Sequence, residues 1–356
     1  MRMTPFSIAG RSIGPDFPCY IIAEISGNHG HNFEKARALV HAANGAGVDA
    51  VKLQTYTADT ITLACDNEHF RIKGTIFEGR TLHDLYAEAM TPWEWQADLK
   101  REAESLGLHC FSTPFDNTSV DFLETELQVP AYKIASFELT DLLLLRKVAA
   151  TRKPVILSTG MATLEEIDEA VQTLRSAGCE QLALLKCTSA VPAPISEMNL
   201  RALPMLAQRY GVVTGLSDHS LGIAAPVAAV ALGASIIEKH IKLTRDDTGP
   251  DVSFSLDAEE FGAMVKAVRS AEEALGGGEW NLVESDATSR QFRRSLFVSR
   301  EMVKGEKFTG ENVRSIRPGA GLHTRYYSEV LTASAATDIE RGTPLSWDLI
   351  ERGGQR

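Results

Sequence analysis

Eight short apolar runs fall within the first 240 residues, and each ends in a polar or charged residue where a loop should begin. They are YIIAE (Glu24), AVKLQT (Lys52 to Thr55), HCFSTP (Thr113), YKIAS (Lys133, Ser136), VILST (Ser158), LALLKCTS (Ser189), VVTGLSDH (Ser217, His219) and SIIEKH (Lys239, His240). Between most of them lies a stretch with helical spacing. This alternation predicts an α/β chain folded as a (β/α)8 TIM barrel, whose active site is built at the C-terminal ends of the strands.

FSIAGRSIG predicts a hairpin over residues 5–15, a plug under the barrel. Helices are expected at Trp93 to Leu106, Val120 to Leu127, Asp141 to Ala150 with Thr140 as N-cap, Leu164 to Ala177, Asn199 to Tyr210 and Ile223 to Leu232. A last helix with an acidic first turn stops at Gly276 to Gly278. The segment Tyr56 to Pro92 breaks the rhythm with little regular period. A connection this long is usually functional, and after a barrel strand it should overhang the mouth. We therefore read 1–280 as the barrel domain, 281–291 as a linker, and 292–356 as a small second domain of short β-like runs and Gly-centred turns. Within it, VKGEKFTGENV and IERGTPLSWDLI resemble each other.

A net charge of −11 argues against a general nucleic-acid surface or an anionic-membrane binder. It also requires local lysines if the substrate is an anion. Cys19, Cys65, Cys110, Cys179 and Cys187 are scattered and include no CxxC pair, which predicts a reducing, cytoplasmic setting. The N-terminus lacks a signal-peptide core. The longest apolar stretch, Leu221 to Ile237, is short for a membrane span and reads as a barrel helix running into the eighth strand.

His219 and His240 sit at the ends of consecutive predicted strands, where two imidazoles can share one metal ion, with Glu24 closing the ring. Lys52 and Lys133 point charge into the barrel mouth. Leaving such a charge unpaired is costly, so each needs a bound anion or an acid such as Glu24 or Glu138. Thr113, Ser136, Ser158, Ser189 and Ser217 ring the same mouth; hydroxyls and lysines together suit a phosphate or carboxylate. No HExxH or Walker motif is present.

These residues resemble the sialic acid synthase family. AEISGNHG (Glu24, Asn28), AVKLQT, STPFD, YKIASFE, LSTGMA, KCTS, GLSDHS, EKH and GPD follow in that family's order, and RPGAG (Arg317 to Gly321) matches its C-terminal arginine motif. The resemblance implies a TIM barrel followed by an antifreeze-like (SAF) domain. It also implies a transferase that condenses phosphoenolpyruvate with an N-acetylated amino sugar. Within the family the insertion is most similar to that of the pseudaminic acid synthase branch, whose acceptor is 2,4-diacetamido-2,4,6-trideoxy-L-altrose. One departure is Val191, where the family usually has Tyr before Pro. By resemblance, phosphoenolpyruvate is held by Lys52, Thr113, Lys133, Ser136, Ser158, Ser189 and Ser217. The sugar is held by Asn28, Gln54, Tyr56, Asp251 and Arg317, the last reaching across a domain-swapped homodimer. Glu24 steers or deprotonates water, and the ion on His219 and His240 is Mn2+, the donors not excluding Mg2+ or Co2+. Two alternatives stand beside this reading: a synthase using N-acetylmannosamine or the legionaminic acid precursor, and a sugar-binding protein without catalysis.

Overall fold

The computed structural model describes residues 4–351, and the last residues of the expected second domain, 352–356, lie outside the described ones. The chain divides into two compact units at Gly276/Gly277. The first is a closed barrel of eight parallel strands: β3 (Tyr20–Glu24), β4 (Ala50–Thr55), β5 (His109–Pro114), β6 (Tyr132–Ile134), β7 (Val155–Ser158), β8 (Leu182–Cys187), β9 (Val213–Asp218) and β10 (Ile236–His240). β10 closes on β3, with His240 opposite Glu24 in register. Two further strands, β1 (Phe6–Ile8) and β2 (Arg11–Ile13), form an antiparallel hairpin ahead of the barrel. Its turn needs positive φ at Ala9 and Gly10, the geometry that suits the twist of a two-residue hairpin.

Strand alternation sorts the barrel side chains. Tyr20, Ile22, Ala50 and Ile236 pack in one apolar cluster with Phe6, Ile8 and Ile13 of the hairpin, which thereby plugs the barrel floor. Ile21, Ala23, Val51 and Leu53 face the other way, into a cluster with α1 (Phe33–Ala46), α4 (Trp93–Ser105) and α10 (Ala258–Leu275). Several helices start on side-chain caps, among them Asn32 for α1, Thr163 for α7 (Leu164–Ser176) and Asp257 for α10, the last two in capping boxes. Gly47, in the left-handed region, ends α1.

Three expectations need correction. α6 (Leu142–Ala150) is capped by Asp141, whose carboxylate accepts from Leu143 and Leu144 N–H, not by Thr140. The expected Val120 to Leu127 helix is α5 (Asn117–Phe122), capped by Asp116, followed by a single π turn, Leu123–Leu127. The insertion is not irregular throughout. It holds α2 (Ala58–Ile61) and α3 (Leu82–Ala89), each capped by a threonine, Thr57 and Thr81. Leu221 to Ile237 contains α9 (Ala224–Ala231) and the start of β10, and among the described residues no helix is long and apolar enough to cross a membrane. The remaining helix of the barrel is α8 (Ala202–Tyr210).

The second unit includes a helical turn, Glu284–Ser289, inside the span read as a linker. Two antiparallel pairs follow, Ser295–Val298 with Val313–Ile316 and Ser334–Ala335 with Ile350–Glu351. Its core gathers Leu296, Val298, Met302, Phe308, Val313, Val330, Ile339 and Leu345. Met302, the residue before the first of the two sequence-similar segments, and Ile339, which opens the second, exchange both backbone hydrogen bonds.

Candidate active site

Near the C-terminal rim the inward barrel positions change from apolar to charged. Two residues beyond Ile22, Ala50 and Ile236 stand Glu24, Lys52 and Glu238, all buried. Lys52 Nζ lies 2.5 Å from Glu24 Oε2 and 3.0 Å from Glu238 Oε1, and Lys133 Nζ lies 3.5 Å from the same Glu238 oxygen. Lys133 also donates to the Ile134 carbonyl at 3.0 Å. Burial draws the Lys52 pKa down to about 8, reinforced by Lys133 and opposed by Glu238. Glu238 is held below the usual carboxylate range because the two lysines outweigh the effect of its burial. The acid within ion-pair distance of Lys133 is therefore Glu238, while Glu138 feels the Lys133 charge from farther away. Sequence reading overlooked Glu238. Its signal was available: in EKH, strand alternation puts Glu238 on the same inward face as His240.

The hydroxyls stand around this cluster. Thr113 Oγ1 and Ser158 Oγ are buried with no hydrogen-bond partner. Ser217 Oγ donates to Glu238 Oε1 at 3.3 Å. Ser136 Oγ accepts from Gly160 N–H at 3.0 Å, and Ser189 Oγ lies 4.0 Å from Cys187 Sγ. Gly160 was also overlooked. A Cβ there would collide with Ser189 Oγ and stand 2.8 Å from Ser136 Oγ, so any larger residue would force these hydroxyls to turn from their present positions. Idle hydroxyl donors beside buried ammonium groups form a cradle for an anion. Glu138 sits after β6 with Oε2 buried and unpartnered, and burial pushes its pKa up to about 7.

His219 and His240 come together with ring centroids 5.4 Å apart, and both pack edge-on against Phe254. His219 Nδ1 is 3.1 Å from the Thr188 carbonyl. That contact makes Nδ1 the protonated nitrogen and leaves Nε2 as a lone-pair donor. His240 Nδ1 is buried without a hydrogen-bond partner, 3.9 Å from Asp251 Oδ2. Burial, His219 and Lys52 push the His240 pKa well down, toward the neutral form that binds metal. His219 is drawn the other way: Cys187 and the Thr188 carbonyl raise its pKa against burial. Among the described residues no three His, Cys, Asp or Glu side chains converge as a metal cage. The two imidazoles, one with an orphaned buried nitrogen, fit a divalent ion held by few protein ligands, the pattern of an open site. Glu24 is not a third ligand in this arrangement; Ser26 N–H holds its Oε1 at 2.9 Å and Lys52 its Oε2.

The remaining expected residues divide. Gln54 is on β4 at the same parity as Lys52. Tyr56 is buried, its ring edge-on to Tyr86 of the insertion (5.7 Å) and to Phe115 (4.9 Å). Asp251 receives a hydrogen bond from Ser26 Oγ, tying the loops after β10 and β3 together. Asn28 donates to the Ile241 carbonyl and Ser255 Oγ and so braces the same two loops, with only its Oδ1 unpartnered. Arg317 belongs to the second unit and is exposed there.

A closed (β/α)8 barrel with lysines, hydroxyls and paired imidazoles at its strand ends defines an enzyme scaffold for an anionic substrate. The chain belongs to the NeuB family, whose model matches residues 39–280; the SAF domain model matches 293–351. It is 46% identical to a pseudaminic acid synthase of Campylobacter jejuni, with 93% of this chain and 96% of that one covered. It is 42% identical to the pseudaminic acid synthase of Helicobacter pylori, over 94% of this chain and 98% of that one. Among solved structures, the N-acetylneuraminic acid (sialic acid) synthetase of Leptospira borgpetersenii, in complex with citrate, superposes with a TM-score of 0.72 at 30% identity, covering 81% of this chain and 95% of the other.

Proposed function

We propose that this chain is a transferase that condenses phosphoenolpyruvate with 2,4-diacetamido-2,4,6-trideoxy-L-altrose and water, giving pseudaminic acid and phosphate. The observation that carries the reading is the pair of unpartnered buried hydroxyls, Thr113 and Ser158, beside the buried lysines Lys52 and Lys133, in a chain 46% identical to a pseudaminic acid synthase.

Lys52, Lys133 and the hydroxyls of Thr113, Ser136, Ser158, Ser189 and Ser217 take the phosphate and carboxylate of phosphoenolpyruvate. Glu24 and Glu238 already cancel the two lysines in formal charge, so an anionic substrate needs further positive charge at this mouth. A divalent ion, Mn2+ by family resemblance, would be held by His219 and His240 and would supply that charge and polarise the sugar aldehyde as a Lewis acid. The enol carbon bonds to the aldehyde carbon, whose oxygen takes up a proton to become a hydroxyl; water adds to C2, and the C2–O bond to phosphate breaks as the new C2 hydroxyl loses its proton to leave a ketone. Glu24 takes the proton that water gives up. Gln54, Tyr56, Asn28 Oδ1 and Asp251 face the sugar.

An alanine at Gly160 should crowd the Ser136 and Ser189 hydroxyls. Turned away from the anion, these hydroxyls lose hydrogen bonds to a charged group, each worth about 1.5–3 kcal/mol, so phosphoenolpyruvate affinity should fall by about tenfold or more. Isothermal titration of the folded variant checks it, and unchanged affinity would remove these hydroxyls from the anion cradle.

A homodimer completes the site. Phe137, Met161, Ile195 and Leu221 follow β6, β7, β8 and β9 and are 69%, 60%, 56% and 58% exposed. An apolar rim around a polar mouth suits cover by a second copy, whose C-terminal domain brings Arg317 to the sugar's amide carbonyls. Five free thiols support a cytoplasmic setting.

The acceptor is tested by phosphate release with three sugars. The wall of Tyr56, Tyr86 and Phe115, with Phe70 and Phe77 elsewhere in the insertion, favours a 6-methyl over a hydroxymethyl, a preference worth about 1–3 kcal/mol. The second acetamido group adds hydrogen bonds that N-acetylmannosamine leaves unmade. The diacetamido-trideoxy altrose should therefore give the highest kcat/KM. Equal or better turnover of N-acetylmannosamine, or of the legionaminic acid precursor, would overturn the acceptor assignment.

A further inference from the structure

Behind the two imidazoles lies a buried ion pair that the reaction does not use. Asp218 and Lys239 immediately precede His219 and His240 and are direct register partners on β9 and β10. Lys239 Nζ is 2.6 Å from Asp218 Oδ2, with both side chains fully buried. Lys239 also donates to the Ser220 carbonyl. Asp218 Oδ1 accepts from Ser220 N–H at 2.8 Å and from Ser220 Oγ at 2.6 Å. Three of these four bonds converge on Ser220, the residue after His219.

Two charges taken wholly out of water are a poor source of stability, since apolar residues of similar size often serve as well. The pair does have a definite geometric consequence. It grips the backbone on both sides of His219 and fastens it to the residue next to His240. We infer that Asp218, Ser220 and Lys239 form a positioning clamp that sets the separation of the two imidazoles, and with it the affinity for the divalent ion. This rests on the metal reading above.

The test uses metal-stripped full-length protein and Mn2+ titrated with electron paramagnetic resonance detection, with Tm measured in parallel. The double variant Asp218→Asn, Lys239→Met removes both charges together and so leaves no lone buried ion. Its Mn2+ dissociation constant should rise about 10–100-fold, the usual effect of losing support behind a metal ligand, with Tm near or above that of the parent. Ser220→Ala, which deletes one hydrogen bond, should raise it by a smaller factor, and it decides the matter if the double variant fails to fold. Parent affinity in a folded double variant, or in folded Ser220→Ala where the double does not fold, overturns the clamp. Parent protein whose Mn2+ binding survives His219→Ala, His240→Ala overturns the metal reading and the clamp with it.

Discussion

Removing divalent ions is expected to abolish phosphate release from phosphoenolpyruvate, and added Mn2+ to restore it. The His219→Ala, His240→Ala double variant should stay inactive with Mn2+ present. A Lewis acid on the aldehyde contributes several kcal/mol, and each 1.36 kcal/mol is tenfold in rate, so the loss should be about a thousandfold or more. The physical ground is the site's charge. Glu24 and Glu238 occupy Lys52 and Lys133 before any substrate arrives, so the lysines alone cannot hold an anion and also stabilise an alkoxide. His240 is kept in the neutral, lone-pair-donating form by burial. Full activity in metal-free protein, measured by phosphate release after chelation and dialysis, would reject this account.

The barrel was legible because its strands are buried on both faces. Such strands read as unbroken apolar runs, and the first polar inward residue marks the rim. Every one of the eight runs contains a barrel strand, from Tyr20–Glu24 to Ile236–His240. Lys52 and Lys133 stood out as charges inside such runs, and His219 and His240 as the polar residues that end them. What local reading could not give is the pairing across the barrel. Lys133 on β6 meets Glu238 on β10 only because the barrel closes, and nothing near Lys133 in sequence signals that acid. Asp218 was hidden in the motif before His219, and Lys239 was seen only as a strand-end charge, since a charged residue on the outward face looks solvated until the helix layer covers it. Gly160 stood in the LSTGMA motif with no role given to it, though its lack of a Cβ leaves room for two hydroxyls. Helix α3 was missed because eight residues span barely two turns, too few for a period to emerge.

The other large effect concerns Glu24. Its Oε1 is fixed by Ser26 N–H and its Oε2 lies against Lys52, with no third contact to define it as a ligand. A carboxylate so oriented is suited to receive a proton from water, and a positioned base is worth about 10²–10⁴ in rate. Glu24→Gln keeps shape and one acceptor but loses basicity, so single-turnover rates should fall at least about a hundredfold while phosphoenolpyruvate still binds. If Glu24 served only to neutralise Lys52, the variant would change phosphoenolpyruvate affinity and spare the rate of the bound complex; calorimetry beside rapid-quench kinetics separates the two. The same variant also probes assembly. Arg317→Ala should be inactive if the arginine serves a neighbour's sugar site. Mixed with Glu24→Gln under conditions of subunit exchange, it should recover activity: the Arg317→Ala barrel retains Glu24, and the Glu24→Gln partner supplies Arg317. Random pairing makes half the dimers mixed, each with one intact mouth, so recovery should approach about a quarter of the parent rate per chain. No recovery after exchange has been verified by mass spectrometry would mean that each chain's arginine serves its own barrel or none.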